Sequence, residues 1–215
     1  MIQWRHGFLG LLAALPLLTG AGGLELLRAR RARFEEVGDA VLMTIALPEL
    51  LLTRDHDAMA SIESAFRTRL EYEITVYRAG QAEPVDLRRV TVQIQWDPWK
   101  ERYFVETKEP DRSAIRRYFV GRDEAILAAV TLDRLRVARA SALDRGPKAV
   151  YFATVVAQRN PIEKGLLSPE DGEGRGQGRD LSVFSRWVGI FIRATQVAEK
   201  TVAVKTTPAF YLVPR

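Results

Sequence analysis

From Leu70 the chain alternates strictly: Leu70, Tyr72, Ile74 and Val76 fall on one side, and Glu71, Glu73, Thr75 and Tyr77 on the other. A period of two is the pattern of a half-buried strand. After a turn over residues 79–84, which holds Gly80 and Pro84, the alternation resumes, with Val90, Val92, Ile94 and Trp96 opposite Arg89, Thr91, Gln93 and Gln95. Asp97-Pro98-Trp99-Lys100-Glu101 then turns the chain into a third strand, Arg102 to Thr107, and Ile115 to Val120 reads as a fourth. Links this short join antiparallel neighbours, because parallel pairing needs crossovers of about a dozen residues or more. An antiparallel meander is predicted.

Elsewhere the period changes. Asp39 to Leu47 is apolar and β-branched enough for a strand that Pro48 closes. Asp55 to Arg69 sets Met59, Ile62, Phe66 and Leu70 at helical spacing, which predicts a helix with Phe66 facing inward. A second helix is expected from Asp123 to Thr131 with Ile126, Leu127 and Val130 inward, followed by a short strand from Leu135 to Ala138. Ala149 to Gln158 is apolar on both faces, as in a central strand covered on both sides, and Asn160-Pro161 ends it. Ser168 to Arg179, with glycines at 172, 174, 176 and 178, reads as a mobile surface loop. Beyond it, Phe184, Trp187, Val188, Phe191 and Ile192 recur at helical spacing within 181–196, and Val202 and Val204 open a last extended segment. The expected fold class is α+β and antiparallel β-rich, a two-layer β-sandwich with two to three flanking helices, built from a single domain over residues 39–215.

The N-terminus changes the picture of location. A positive start at Met1 to Arg5, a 12-residue apolar run from Gly7 to Leu18 and the small residues Thr19-Gly20-Ala21 make the layout of a secretory signal. Arg28, Arg30, Arg31 and Arg33 follow closely, and positive charge beyond an apolar segment favours retention of that side in the cytoplasm. Residues 1–23 are therefore read as a signal peptide or an N-terminal anchor, and 24–38 as a basic linker. The expected location is the periplasm or cell envelope.

Composition narrows the chemistry. The 215 residues are 47% hydrophobic and 27% charged, the balance of a chain that buries a core. There is no cysteine, which removes disulfides, thiolate catalysis and Cys-based metal sites, and the two histidines are His6 and His56. The net charge of +5 is not spread over the body, since residues 34–179 hold 22 basic and 24 acidic side chains and the excess lies at the two ends. That distribution does not make a nucleic-acid footprint, and no nucleic acid is expected as a partner.

Five groups of residues invite a chemical reading. Asp55-His56-Asp57 supplies three metal-ligand types, but neighbours at a helix start diverge, and the acids suit the helix dipole instead. Glu71, Glu73 and Glu106 would form a carboxylate row if their strands adjoin, the arrangement of a hydrolase or of a Ca²⁺ site. Ile115-Arg116-Arg117-Tyr118-Phe119-Val120-Gly121-Arg122 interleaves cations and aromatics, as RNA-binding strands do, although it lacks the interspersed glycines of that motif. Phe184, Arg186, Trp187, Phe191 and Arg193 give the third helix the composition of one that contacts a membrane surface or a protein partner, against a plain reading as core. The glycines at 172–178 lack the Gly-Lys-Ser/Thr of a phosphate loop.

The strand Leu70 to Arg78 (L-E-Y-E-I-T-V-Y-R), Asn160-Pro161-Ile162 with Leu166-Leu167-Ser168, and Phe184-Ser185-Arg186-Trp187 together resemble a bacterial family of exported proteins known as domain of unknown function 4390. The likeness runs from about Asp39 to Arg193 and rests on the order of elements. It implies an exported protein and assigns no catalytic residue. No catalytic, cofactor or metal residue is predicted. The expected function is a non-catalytic envelope protein that binds a protein partner or the membrane surface. The alternatives are an Asp/Glu-dependent hydrolase and a carrier of apolar ligands.

Overall fold

A computed structural model describes residues 27–161 and 198–214. Ten strands are β1 (Arg28–Arg31), β2 (Arg33–Val37), β3 (Ala40–Ala46), β4 (Thr68–Arg78), β5 (Pro84–Asp97), β6 (Arg102–Lys108), β7 (Ile115–Phe119), β8 (Thr131–Arg139), β9 (Tyr151–Arg159) and β10 (Lys200–Thr207). Two helices, α1 (His56–Glu63) and α2 (Arg122–Val130), interrupt them. The strands form a seven-stranded sheet in the order β1-β10-β9-β4-β5-β6-β7 and a three-stranded sheet in the order β2-β3-β8. All ladders are antiparallel except β1 with β10. The fold is the expected β-rich α+β class, and β4 to β7 are the predicted meander.

Both sheets feed one core. Leu70, Tyr72, Ile74 and Val76 of β4 and Val90, Val92 and Ile94 of β5 meet Val41, Met43 and Ile45 of β3 and Leu132, Leu135 and Val137 of β8. The two helices close the same layer through Ala58, Met59 and Ile62 of α1 and Ala125, Ile126, Ala129 and Val130 of α2. The buried Tyr72 hydroxyl donates to the Ala129 carbonyl at 3.0 Å, which fastens the C-terminal end of α2 to the large sheet. Phe210 and Leu212 of the C-terminal tail also join the core, Phe210 stacking on Phe34 at 4.2 Å.

Four expectations are corrected. The first helix stops at Glu63 and not at Arg69, because Ala65 takes a left-handed φ of 63° and Thr68 already pairs with Ile94. Phe66 is consequently 74% exposed, and the burial of Leu70 belongs to β4. In α2 the buried stripe uses Ala125 and Ala129, leaving Leu127 63% exposed. Residues 28–31 and 33–37, read from sequence as part of a basic linker, are β1 and β2. The short strand at Leu135 is the second half of the nine-residue β8, whose alternation is broken by a bulge. There Leu132 pairs with Ile45 and Leu135 with Met43, and Arg134 adopts φ 49° opposite Thr44. The loop at 168–179 and the helix at 181–196 lie outside the described residues.

Candidate functional site

The carboxylate row is real as a placement but not as a cluster. Glu71 and Glu73 share the outer face of β4, opposite Thr91 and Arg89, whereas Glu106 stands on β6, opposite Gln93. One whole strand separates them, which at the usual strand spacing is about 10 Å. Each acid is met by an arginine: Arg69 to Glu71 at 2.5 Å, Arg89 to Glu73 at 3.0 Å and Arg116 to Glu106 at 2.6 Å. An open depression of about 320 Å³ on this face is lined by Arg69, Arg89, Gln93, Glu106 and Lys108. The face is a ladder of ion pairs.

Asp55-His56-Asp57 divides as the dipole argument expects. Asp55 caps α1, accepting from the Ala58 amide at 3.1 Å, and takes a second bond of 2.8 Å from Arg159. Arg159 is buried, and it also donates to the Leu50 carbonyl at 3.0 Å and to Glu199 at 2.9 Å. The Arg159 guanidinium, followed by the Ala58 amide, holds the Asp55 carboxyl below its ordinary range. This hub ties α1, β9 and the start of β10 together. Among the described residues no group of three His, Cys, Asp or Glu side chains could hold a metal ion.

The basic and aromatic segment at 115–122 has the most distinctive placement. Residues 115–119 of it form β7, which closes the order of the large sheet and, among the described residues, bonds only β6, while Arg122 opens α2. On the outer face Arg116 lies over Phe104 at 4.6 Å, and Tyr118 sits 6.4 Å from the same ring. The β5–β6 turn bends over this edge, placing the Lys100 ammonium 5.1 Å from the Tyr118 ring. Arg116, and after it Lys100, keep the Tyr118 phenol below the ordinary tyrosine range. On the inner face Arg117 stands 5.8 Å from the Phe119 ring and forms no ion pair among the described residues. Around these cations the apolar side chains are bare: Trp99 is 95% exposed, Val120 75% and Ile115 56%.

Sequence reasoning found the segment but treated Asp97 to Glu101 only as a turn. The overlooked signal was Trp99 itself, a large apolar residue one position beyond a proline and outside the alternation that ends at Trp96. Trp96 does pack, half-buried against Tyr103 with ring centroids 4.6 Å apart. The predicted interaction surface, Phe184, Arg186, Trp187, Phe191 and Arg193, lies outside the described residues.

In comparison with known proteins, the chain matches no family model, no curated protein and no solved structure.

Proposed function

We propose that this chain is a non-catalytic binding module of the bacterial cell envelope, exported by its N-terminal segment, that engages a partner through the margin formed by β7 and the β5–β6 turn. The observation that carries the reading is the exposed aromatic and aliphatic set at that margin, Trp99, Ile115 and Val120, set among arginines. Single exposed apolar side chains are ordinary, but several gathered with cations at one sheet edge are the composition of a contact surface. The arginine-paired carboxylates on the adjoining face support a binding role over a hydrolytic one. The signal-like start and the resemblance to exported proteins support the location.

The test is a photo-crosslinking amino acid placed at Trp99 or Tyr118 in intact cells, with Glu83 at the opposite end of β5 as control. Adducts with one envelope protein from positions 99 and 118, and not from 83, are expected. Adducts with lipid would assign the margin to the membrane surface. Equal or absent adducts at all three positions, or recovery of the chain in the cytoplasm, would overturn the reading.

A further inference from the structure

Among the described residues, strand β7 offers the unpaired N–H and C=O groups of an edge, and such an edge is a template for another strand unless something blocks it. Natural edges are protected by charge, by proline or by brevity. Here the protection is partial. Residues 112–122 hold four arginines and no acid or proline, and the arginines lie among Ile115, Tyr118 and Val120, whose apolar surface gains nothing from being bare.

The arginines also decide who can pair. A second copy joined by a twofold axis, in the antiparallel register that keeps all five residues of β7 bonded, would set Arg117 against Arg117. Like charges directly opposite destabilise a ladder. A strand with acids at the facing positions meets the reverse situation. Arg116 points to the outer face and Arg117 to the inner, so adjacent acids on an incoming strand would reach one cation on each side of the sheet. Arg116 already shares Glu106, while Arg117 is free of any ion pair among the described residues, so Arg117 has the larger unmet demand.

We infer that β7 is the acceptor edge for an acidic, extended peptide segment of a partner protein, which adds to the seven-stranded sheet as a further strand. This rests on the binding-module reading above and names the chemistry of its partner. Main-chain bonds to β7 supply the affinity, and the pair of arginines with Ile115 and Tyr118 supplies the selection, as in other cases of strand addition.

The experiment uses the full chain and three synthetic peptides sharing one alternating Val/Thr pattern, with a central Glu-Glu pair, a central Lys-Lys pair, or the Glu-Glu pair flanked by proline. The Glu-Glu peptide is expected to bind and to slow hydrogen exchange at the β7 amides that do not bond β6. The Lys-Lys peptide should fail through repulsion and the proline peptide through its lost N–H. Arg117→Glu should weaken binding by about tenfold or more and Arg117→Lys should largely restore it, since the contact depends on charge. Arg117 is exposed, so both variants should keep the unfolding midpoint of the parent, which separates lost binding from lost fold. Binding without protection of β7, or equal binding of the proline peptide, would overturn strand addition while leaving the binding module standing. Binding of anionic phosphatidylglycerol vesicles or of single-stranded oligonucleotide in place of the Glu-Glu peptide would overturn the acidic segment as occupant. Loss of position-specific adducts in intact cells, by contrast, removes the underlying reading.

Discussion

Strand β9 lies third in the seven-strand order with β10 and β4 bonded to its two sides, and eight of its nine residues are buried. Strand β7 ends the same order, bonds only β6 among the described residues, and leaves four of its five residues exposed. Both are β-branched or aromatic enough to be strands, yet they hold the sheet by different means. β9 gains from apolar surface removed from water on two faces. β7 holds by its ladder to β6, by the Arg116–Glu106 pair and by Arg116 and the Tyr118 ring packed on Phe104. The lesson is that one sheet grades from a core that specifies the fold to a margin free to specify a contact.

The largest test of that gradient is Ile74→Ala. Ile74 pairs with Val155 of β9, is fully buried and touches the inter-sheet core, so the substitution should cost about 2 to 5 kcal/mol in urea unfolding. A cost under about 1 kcal/mol would mean that the centre packs no better than the margin.

The centre was legible because its signals are local. The alternation of β4 and β5 and the two-faced apolar run of β9 survive in sequence, since every second side chain meets the same layer. Legibility failed where a long-range ladder overrode local period. Phe66 stands four residues from Ile62 and looks helical, but pairing of Thr68 with Ile94 ends the helix and Ala65 turns left-handed to allow it. The step from Leu132 to Leu135 hides β8 because the bulge at Arg134 depends on Thr44, which accepts the Arg134 amide at 3.0 Å. The margin was legible as composition and not as a site, because the closeness of Lys100 to Tyr118 is a fact of the hairpin and not of the spacing.

Asp55→Ala comes next in size. It removes the cap of α1 and one partner of a buried arginine, losses of about 1 and 1.5 to 3 kcal/mol, so about 2.5 to 4 kcal/mol is expected. The same contacts make stability depend on pH. The folded Asp55 has a depressed pKa, so its contribution is complete above the unfolded value of about 4 and is lost as pH falls toward the folded one. Acid titration of the unfolding free energy should fall less steeply below pH of about 4 in the alanine variant. Parallel curves for parent and variant would remove Asp55 from the hub.

Tyr72→Phe should cost about 1 to 2 kcal/mol, because the Ala129 carbonyl loses its buried donor while the ring stays in place. Burial pushes the Tyr72 pKa up. The unfolded chain then ionises first as pH passes about 10, so this residue's contribution is present below that pH and declines above it. The phenylalanine variant should lose less stability between neutral and strongly alkaline pH than the parent. An identical alkaline decline in both would assign it to other tyrosines.

The smallest effect is the one on which the comparison most depends. Ile115→Ala removes an isoleucine from a strand just as Ile74→Ala does, but at β7 more than half of that side chain already faces water. The transfer gain lost is therefore small, no enclosed cavity is left, and the β6 ladder is made by main-chain groups the substitution does not touch. A change within about 0.5 kcal/mol is expected in the same urea measurement, an order of magnitude below the upper cost at Ile74. If β7 is a contact surface, the deficit should appear elsewhere, as weaker capture of the Glu-Glu peptide by a protein of unaltered stability. A cost at Ile115 comparable with that at Ile74 would make the edge part of the core, and its bare apolar residues would then need an explanation in folding and not in binding.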